Sequence, residues 1–294
     1  MDPFHLRLFR DIAQSGSMSR GAEVSQISQS AASQYVAELE NRLGLELIDR
    51  TRRPLKLTEA GTLYLDFCRD VLRRFDEFDA EVGQLKSAVA GSVRVAAIFS
   101  VGLSEMQKLQ AEFARRWPQA ELEVEYLHPE KVYRAVRADE ADIGLVSYPQ
   151  PAKDLSVIDW REEEMAVAVA ADHPLARRPK VTARQLQEFP FVSFDTDLPI
   201  RREVDRFLRE QGAPIAVSQH FGSIPEVKEA LAVGQHFAIL PTRMLQNEIQ
   251  QGRLVAVPLD GPKLARPLGI IHLRKKRFNR AAQSLLALLK ENPR

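Results

Sequence analysis

The sequence has 294 residues, of which 45% are hydrophobic and 28% are charged. This length and composition predict about two globular domains and exclude disordered, collagen-like and fibrous chains. The 41 lysines and arginines nearly balance the 40 aspartates and glutamates, so binding to a polyanion has to come from local clusters of charge.

Three features of the chain bear on its compartment. No window approaches the roughly 18 uncharged apolar residues that a membrane-spanning helix needs, and charges interrupt the apolar positions at the N-terminus. The single cysteine, Cys68, rules out an intramolecular disulfide and any multi-cysteine metal site. We therefore expect a soluble, non-exported, cytoplasmic protein that does not contact a membrane.

The first 44 residues contain three short segments whose apolar residues recur at helical spacing. A break at Gly16 ends the first segment, Ser17 or Ser19 is the predicted N-cap of the second, and Gly44 is the predicted stop of the third. The apolar positions are Phe4, Leu8, Phe9 and Ile12 in the first helix, Ala22 and Val24 in the second, and Ala32, Val36, Leu39 and Leu43 in the third.

The third helix carries short hydrogen-bonding side chains, including Ser30 and Gln34, opposite its apolar stripe. Two short extended runs follow, and they carry a basic cluster that is typical of a β-wing. A serine-rich face or a basic cluster is, by itself, usually only a solvated surface. Their conjunction favours DNA, because such side chains reach base edges and phosphates. The cluster consists of Arg50, Arg52, Arg53 and Lys56.

The run AEVSQISQSAASQYVAELENRLGLELIDRTRRPLKLTEAG resembles, almost position by position, the winged helix-turn-helix of the LysR-type transcriptional regulators. The resemblance implies that the third helix is the recognition helix and that double-stranded DNA is the partner. Ser30 stands where the family usually has proline, and Gln34 where it often has a basic residue, so we expect an altered base preference. The predicted DNA-binding residues are Ser28, Gln29, Ser30, Ser33, Gln34, Arg50, Arg52 and Arg53.

A single helical period continues from Thr58 to Ala90 and has a heptad repeat of apolar residues. One such helix cannot bury its stripe alone, so a homodimer is predicted. The alternative is packing onto its own winged domain, which we expect for Leu63 and Tyr64. The resemblance further implies a tetramer. The seam begins at Cys68 and continues through the predicted dimerisation residues Val71, Phe75, Phe78, Val82 and Leu85 to Val89.

From Gly91 onward, short β-rich runs alternate with helical ones, as in open α/β sheets. The resemblance implies an effector domain of two periplasmic-binding-protein-like (type 2) subdomains with a cleft between them. The predicted domains are 1–58 (winged helix-turn-helix), 59–90 (linker and dimerisation helix) and 91–294 (effector domain, subdomain I about 91–163 and 268–294, subdomain II about 164–267). Strands are predicted at 93–99, 122–127, 143–147, 165–170, 191–194, 237–240 and 268–272, and helices at 102–117, 129–138, 182–189, 199–211, 225–233, 242–250 and 279–291.

Ligands of open α/β sheets bind at the carboxyl ends of strands, beside helix N-termini that favour anions. We therefore expect the effector to be a carboxylate or another small anion. The carboxylates of Asp195 and Asp197 lie beside this site and oppose a purely anionic ligand, so a zwitterion remains an alternative. The alternative for a serine or threonine at a helix start is a plain N-cap, and Ser223 with Glu226 predicts a capping box. The predicted effector-binding residues are Ser100, Val101, Gly102, His128, Ser147, Phe194 and Thr196; Ser100 matches an effector contact of the family.

No catalytic or phosphate-loop motif is present, and the six histidines are scattered without metal-ligand spacing. The acidic run Glu162-Glu163-Glu164 is interpreted as solvated. We expect the protein to be a DNA-binding transcriptional regulator controlled by a small-molecule effector. We expect it to have no enzymatic activity and no cofactor. The alternative is an α/β metabolic enzyme or a ligand-binding module with an N-terminal oligomerisation helix. An enzyme would show turnover without salt-sensitive DNA binding, and the intact wing argues against a pure ligand-binding module.

Overall fold

The computed structural model describes residues 2–84, 89–101 and 106–291. The chain divides into two compact units: the N-terminal unit, Met1–Ala88 with Arg277–Arg280, and the C-terminal unit, Val89–Lys276 with Ala281–Arg294. None of the helices in the described ranges combines the length and the apolar character that crossing a lipid bilayer requires.

The N-terminal unit begins with three short helices and a two-stranded wing, which confirms the predicted order of elements. The side chain of Ser17 caps the second helix by accepting from the backbone N–H of Arg20, and Ser28 caps the third in the same way. Gly44 ends the third helix with a left-handed φ of 68°. The elements are α1 (Pro3–Ser15), α2 (Met18–Val24), α3 (Gln29–Leu43), β1 (Ile48–Asp49) and β2 (Lys56–Leu57).

The long helix α4 spans Glu59–Gln84, about 39 Å at 1.5 Å per residue. Its first turns pack against the core of the N-terminal unit, where Tyr64 and Leu72 are buried. Cys68 is fully buried there too, and burial raises the pKa of its thiol to about 12. Cys68 therefore belongs to the core rather than to the predicted seam, and it is not a reactive thiolate at neutral pH.

A second face of α4 is apolar but exposed. Leu63 is 74% exposed, so the expectation that it packs on the winged domain is wrong, and Phe78 is 61% exposed. Leu85 lies outside the described residues, and Val89 follows the described end of the helix. We call the exposed face the α4 stripe. It consists of Leu63, Phe67, Phe75 and Phe78, with the half-buried Val71 and Val82 between or beyond them.

The C-terminal unit is built on a nine-stranded sheet within the described residues, in the order β4-β3-β5-β11-β6-β9-β7-β8, with β10 added on β6. β3 runs parallel to β4 and β5, and β7 runs parallel to β8 and β9. The strands are β3 (Gly91–Ile98), β4 (Ala120–Leu127), β5 (Ile143–Ser147), β6 (Leu155–Ala170), β7 (Phe191–Phe194), β8 (Val217–Phe221), β9 (Phe237–Pro241), β10 (Leu254–Val257) and β11 (Ala265–Leu273).

Helices cover the sheet and confirm most of the predicted helical segments. Two segments differ, because Ala183–Glu188 and Thr242–Leu245 form 3-10 turns. Residues 102–105 of the first predicted helix lie outside the described residues. The α-helices are α5 (Phe99–Val101), α6 (Gln107–Arg116), α7 (Pro129–Arg137), α8 (Pro199–Glu210), α9 (Ile224–Ala232), α10 (Gln246–Gln250) and α11 (Arg280–Glu291).

Two strands cross between the halves of this sheet. We call the half around β3–β5 lobe I and the half around β7–β10 lobe II. Residues of β6 up to Glu164 pair with β11, whereas residues from Met165 pair with β9. β11 begins at the same point, where the chain returns after β10, and pairs with the first part of β6 on one side and with β5 on the other. The changeover lies next to the predicted limit between the subdomains at about residue 163, while the subdomain limits themselves stay a prediction.

The sequence did not predict β8, β10 or the first half of β6. The three central residues of β8 are polar and exposed, as befits an edge strand, and β10 has only four residues. The first half of β6 carries three successive glutamates, which argued against a strand. Its pairing with β11 imposes the strand there, a tertiary effect that overrides local propensity.

The first prediction concerns the contact between α1 and α2. A methyl group added at Gly21 would overlap the Ile12 side chain and would lie 2.7 Å from Cα of Ile12. Gly21→Ala should therefore lower the free energy of unfolding of the N-terminal unit by about 1–3 kcal/mol, measured from hydrogen exchange in α1. Glu23→Ala, at an exposed position of α2, should stay within about 0.5 kcal/mol; equal stability of the two variants would contradict the close contact.

The second prediction concerns acid stability. Burial opposes ionisation of Asp142, but the hydrogen bonds and charge of Arg94 and the charge of Lys276 outweigh it and lower the pKa of Asp142 to about 2. The carboxylate thus stabilises the C-terminal unit above pH 3.8, its ordinary pKa, and this contribution of about 2 kcal/mol is lost as the pH falls toward 2.

Asp142→Asn should lower the free energy of unfolding of the C-terminal unit at neutral pH. It should also flatten the acid limb, by which we mean the fall of this free energy as the pH drops from 3.8 toward 2. Tryptophan fluorescence measures it, because both tryptophans lie in the C-terminal unit. Glu229→Gln removes an exposed carboxylate whose ion-pair distance is 3.9 Å and should leave the limb unchanged. An acid limb of wild-type steepness in Asp142→Asn would show that another group controls it.

Candidate functional site

The predicted recognition helix exposes its polar face. Gln29, Ser30 and Gln34 are exposed and Ser33 is half-buried. The hydroxyl groups of Ser28 and Ser30 lie 2.9 Å apart, and the Gln34 amide donates to Glu38 at 2.9 Å. Ala32, Val36 and Leu39 of the same helix are buried in the core. The helix therefore buries an apolar side in the core and exposes hydrogen-bonding groups on the opposite side.

A carboxylate braces the recognition helix against the wing. Glu40 of α3 accepts from the backbone N–H groups of Leu47 and Ile48 through one oxygen, and its other oxygen accepts from Arg50 at 2.7 Å. This contact fixes the wing relative to α3. It also places the Arg50 guanidinium beside the recognition helix rather than leaving it free to sample solvent.

The other two wing arginines differ in their partners. Arg52 pairs with Asp49 at 3.1 Å, and hydrogen bonds from Thr51 lower the pKa of Asp49, which keeps that carboxylate charged. Arg53 donates to the carbonyl groups of Arg50 and Arg52. Over the part of the chain that the structure describes, no carboxylate pairs with Arg53. Its charge is therefore available to an external anion.

A shallow depression of about 290 Å³ unites the helix face with the wing. None of its described lining residues is acidic. It brings together four of the predicted DNA-binding residues: Gln29, Ser33, Arg50 and Arg53. Ser28, Ser30, Gln34 and Arg52 lie outside its wall. The lining is completed by Gly16, Ser17, Met18, Ser19 and Leu55.

A second cavity, of about 100 Å³, lies in the C-terminal unit. It is formed where β3, β4, β5, β7 and β8 end and where α7, α8 and α9 begin, so both lobes contribute to its wall. This is the position that an open α/β sheet favours for a ligand. The lining residues are Ile98, Phe99, Ser100, Leu127, His128, Pro129, Ser147, Phe194, Leu198, Pro199, Ile200, Gly222, Ser223, Ile224 and Arg266.

The predicted effector-binding residues divide into three groups. Ser100, His128, Ser147 and Phe194 line the cavity. Val101 is fully buried and Thr196 is exposed, and neither is part of the described wall. Gly102 lies outside the described residues.

The acids at the cavity mouth are paired. His128 Nε2 lies 3.3 Å from Asp197, and His220 Nδ1 lies 2.5 Å from Asp195. The predicted capping box at Ser223 is wrong, because its hydroxyl donates to the Glu226 carboxylate at 2.8 Å and makes no bond to the backbone. Ser223 instead faces the cavity.

Sequence reasoning missed Arg266 as a site residue. Its side chain is only 2% exposed; Nε and Nη2 both donate to Oε2 of Glu163, at 2.9 and 2.5 Å, and Nη1 donates to the Ser100 hydroxyl at 3.1 Å. Glu163 also pairs with Arg161 at 3.3 Å, and Arg161 stacks on the Trp160 ring at 4.3 Å. The guanidinium of Arg266 is thus a buried cation at the cavity wall.

The interpretation of the acidic run as solvated is therefore wrong for its central residue. Glu163 is buried, whereas Glu162 and Glu164 are exposed, because successive side chains of a strand point to opposite faces. The available signal was an arginine just before the predicted strand 268–272, at one predicted limit between the subdomains, and an acidic run at the other limit. Because buried charges are rare unless they are paired, a buried arginine in one segment and a buried glutamate in the other would be expected to pair.

Neither site has the composition of a metal centre. Throughout the described ranges, no three histidine, cysteine, aspartate or glutamate side chains are grouped closely enough to hold a metal ion. The chemistry that the two sites offer is hydrogen bonding and charge complementarity.

Comparison with known proteins assigns both halves of the chain. Residues 4–62 match the family model described as "Bacterial regulatory helix-turn-helix protein, lysR family", and residues 86–294 match the model described as "LysR substrate binding domain". A relative named "Uncharacterized HTH-type transcriptional regulator YeiE", from Escherichia coli (strain K12), is 30% identical over 96% of this chain and 94% of its own length. A "Probable RuBisCO transcriptional regulator" of Thalassiosira pseudonana is 26% identical over 90% and 89%.

Solved structures share the fold. A full-length OxyR variant from Pseudomonas aeruginosa covers 99% of this chain, and 94% of its own length is matched, with a TM-score of 0.76 at 20% identity. Full-length CbnR complexed with its target DNA covers 100%, with 99% of its own length matched, at a TM-score of 0.67 and 18% identity. The regulatory domain of Synechocystis PCC6803 CcmR, in complex with 2-PG, covers 69%, with 98% of its own length matched, at a TM-score of 0.63 and 22% identity. The chain belongs to the LysR family of transcriptional regulators, with an N-terminal helix-turn-helix DNA-binding domain and a C-terminal α/β effector-binding domain.

Proposed function

We propose that this regulator recognises its DNA sites through the face of α3 and the wing arginines. The observation that carries the proposal is the depression in which Gln29 and Ser33 of the helix lie beside Arg50 and Arg53 of the wing. Arginine binds phosphate oxygens without regard to sequence, whereas short polar side chains on a helix distinguish base edges in the major groove. The helix and the wing thus divide specificity and affinity between them.

The surrounding residues take supporting roles in this proposal. Ser28 and Ser30 lie at the N-terminus of α3, where hydroxyl and backbone N–H groups suit a phosphate. Gln34 bonds to Glu38 and has to exchange that partner for a base. Arg52 has to exchange Asp49 for a phosphate, so we expect it to contribute less than Arg53. CbnR, which shares the fold, is solved with its target DNA, and this supports the general mode of binding.

The effector that we propose is a small anion, with a carboxylate favoured, bound in the cavity of the C-terminal unit. Ser100, His128, Ser147 and Phe194 remain its proposed contacts, and Arg266 joins them. The acids at the mouth already pair with histidines, so they offer little to the ammonium group of a zwitterion. The complex of CcmR with 2-PG supports a small molecule in this domain. We place the regulator in the cytoplasm, where the DNA that it binds is found.

We propose that two chains associate through the α4 stripe. Four large apolar side chains on one face of a helix are exposed in the single chain, and such a surface marks an interface. Ion pairs such as Arg73 with Glu77 at 3.3 Å occupy other faces of the helix. A tetramer built from two such dimers is the expected larger assembly.

Selection of DNA by the purified full chain tests the regulator function. Random duplexes that the protein retains should share a motif, and a competitor that carries this motif should displace them at constant salt. A metabolite panel added to the selected complex should contain at least one compound that changes its affinity. Retention without any shared motif would contradict sequence-specific regulation, and a complex that no compound alters would contradict effector control.

The third prediction separates phosphate contacts from base contacts. Arg53→Ala should weaken binding to selected and random duplexes alike, and it should reduce the slope of log K against log salt by about one unit, because one phosphate contact is lost. Ser33→Ala should change the preference between sites instead. Fluorescence anisotropy over a salt series measures both.

Arg115→Ala is the matched control, since it removes the same charge from an exposed arginine of α6. Its salt slope and its site preference should equal those of the wild type. Identical losses for Arg53→Ala and Ser33→Ala on all duplexes would show that the helix and the wing do not divide their roles as proposed.

The fourth prediction concerns assembly. Phe78→Glu places a charge in the α4 stripe, and burying it in a helix pair costs several kcal/mol. The variant should therefore dissociate at concentrations where the wild type is a dimer, as measured by light scattering. Thr62→Glu introduces the same charge on another exposed face of α4 and should keep the wild-type mass. A Phe78→Glu variant of unchanged mass would exclude the stripe as the interface.

A further inference from the structure

The cavity of the C-terminal unit has one permanent charge in its described wall. That charge is the guanidinium of Arg266, and nine of the other lining residues are apolar. The described wall contains no carboxylate. A cationic ligand would therefore find no carboxylate in this described wall, and a polyol would leave the nine apolar residues without a matching surface.

The Glu163 carboxylate fixes the orientation of Arg266. Nε and Nη2 both donate to the same oxygen, so this edge of the planar guanidinium faces away from the ligand. The remaining terminal nitrogen, Nη1, donates to the Ser100 hydroxyl at 3.1 Å. Ser100 itself lines the cavity. The second edge of the arginine is thus held by a neutral group that an anion can replace.

The ion pair lies within the sheet rather than on a loop. Arg266 and Glu163 are register partners on β11 and β6, the two strands that cross between the lobes. Both side chains are 2% exposed. We therefore expect the guanidinium to keep its position while the helix termini around the cavity adjust to a ligand, because side chains on paired strands are held more exactly than those on loops.

We propose that Arg266 recognises the charge of the effector, and that the effector is a monocarboxylate with a compact apolar body. One carboxylate oxygen accepts from Nη1 of Arg266, the Ser100 hydroxyl turns to donate to the carboxylate, and the apolar body contacts walls such as Phe194 and Ile224. Arg266 and Arg161 share the single carboxylate of Glu163, so the three side chains together carry one net positive charge. A monocarboxylate balances that charge, whereas the second charge of a dianion would stay uncompensated against apolar side chains. This inference rests on the proposed ligand cavity and names the ligand class and the residue that reads it.

A matched pair of probes tests the charge requirement in the wild-type full chain. Benzoate and benzamide have nearly the same shape, but only benzoate carries a charge. Thermal shift and calorimetric titration at constant ionic strength should show benzoate binding about ten- to a hundredfold more tightly, as expected for a hydrogen bond to a charged partner. Acetate with acetamide provides a smaller pair, and malonate tests a dianion.

Arg266→Lys assigns this preference to the arginine. Lysine keeps a positive charge for Glu163 but lacks the planar second edge, so the preference for benzoate over benzamide should fall to within about threefold. Arg161→Lys is the matched control, because Arg161 bonds to the same carboxylate but is not part of the described cavity wall. It should keep the wild-type preference.

Each outcome decides the inference. The ligand class would be overturned by equal affinity for the acid and its amide, or by tighter binding of malonate than of acetate. It would also be overturned if no monocarboxylate bound at its solubility limit. Equal losses in Arg266→Lys and Arg161→Lys would overturn the role of Arg266. The proposed function fails separately: benzoate that binds as expected while no bound acid alters DNA affinity would contradict effector control, whereas a different compound that alters DNA affinity would contradict only this inference.

Discussion

The ion pair between Glu163 and Arg266 sets the orientation of the one permanent charge in the described wall of the C-terminal cavity. β6 and β11 are the strands that pass between the lobes, and the pair lies where β6 changes its partner from β11 to β9. Removing two charges from water costs several kcal/mol for each ion, so a buried pair is poor evidence of added stability. Its value here is orientation, because it fixes a cation in a cavity that is otherwise mostly apolar.

Helix α4 has two apolar faces, one buried and one exposed. One face, with Cys68 and Leu72, completes the core of the N-terminal unit. The other, the α4 stripe, stays exposed in the single chain. In the proposed dimer, association through this stripe depends on a folded winged domain, since the core contacts set which residues point outward.

Ligand and DNA can influence each other only through a free-energy difference between conformations. A ligand that binds two arrangements of the lobes equally shifts nothing, and the usual coupling is about 1–3 kcal/mol. The cavity has wall residues from both lobes, with Ser100 in lobe I and Phe194 in lobe II. A ligand held between them therefore favours the arrangement in which both sets of contacts are made, and this difference is the source of control.

Local patterns in the sequence were sufficient to predict the elements of the N-terminal unit, most elements of the C-terminal unit, the recognition helix with its caps, and the family. These depend on local spacing and on residues such as Ser28 and Gly44 that act on their own neighbours. It also placed Ser100 and His128 at strand ends. The burial of Glu163 and the position of Arg266 at the cavity wall result from strand pairing and became apparent only in the folded structure. These residues are 103 positions apart, and no local periodicity records a pairing between two strands. The direction of the α4 stripe was decided in the same way, since the face of a helix that is buried depends on the core it packs against.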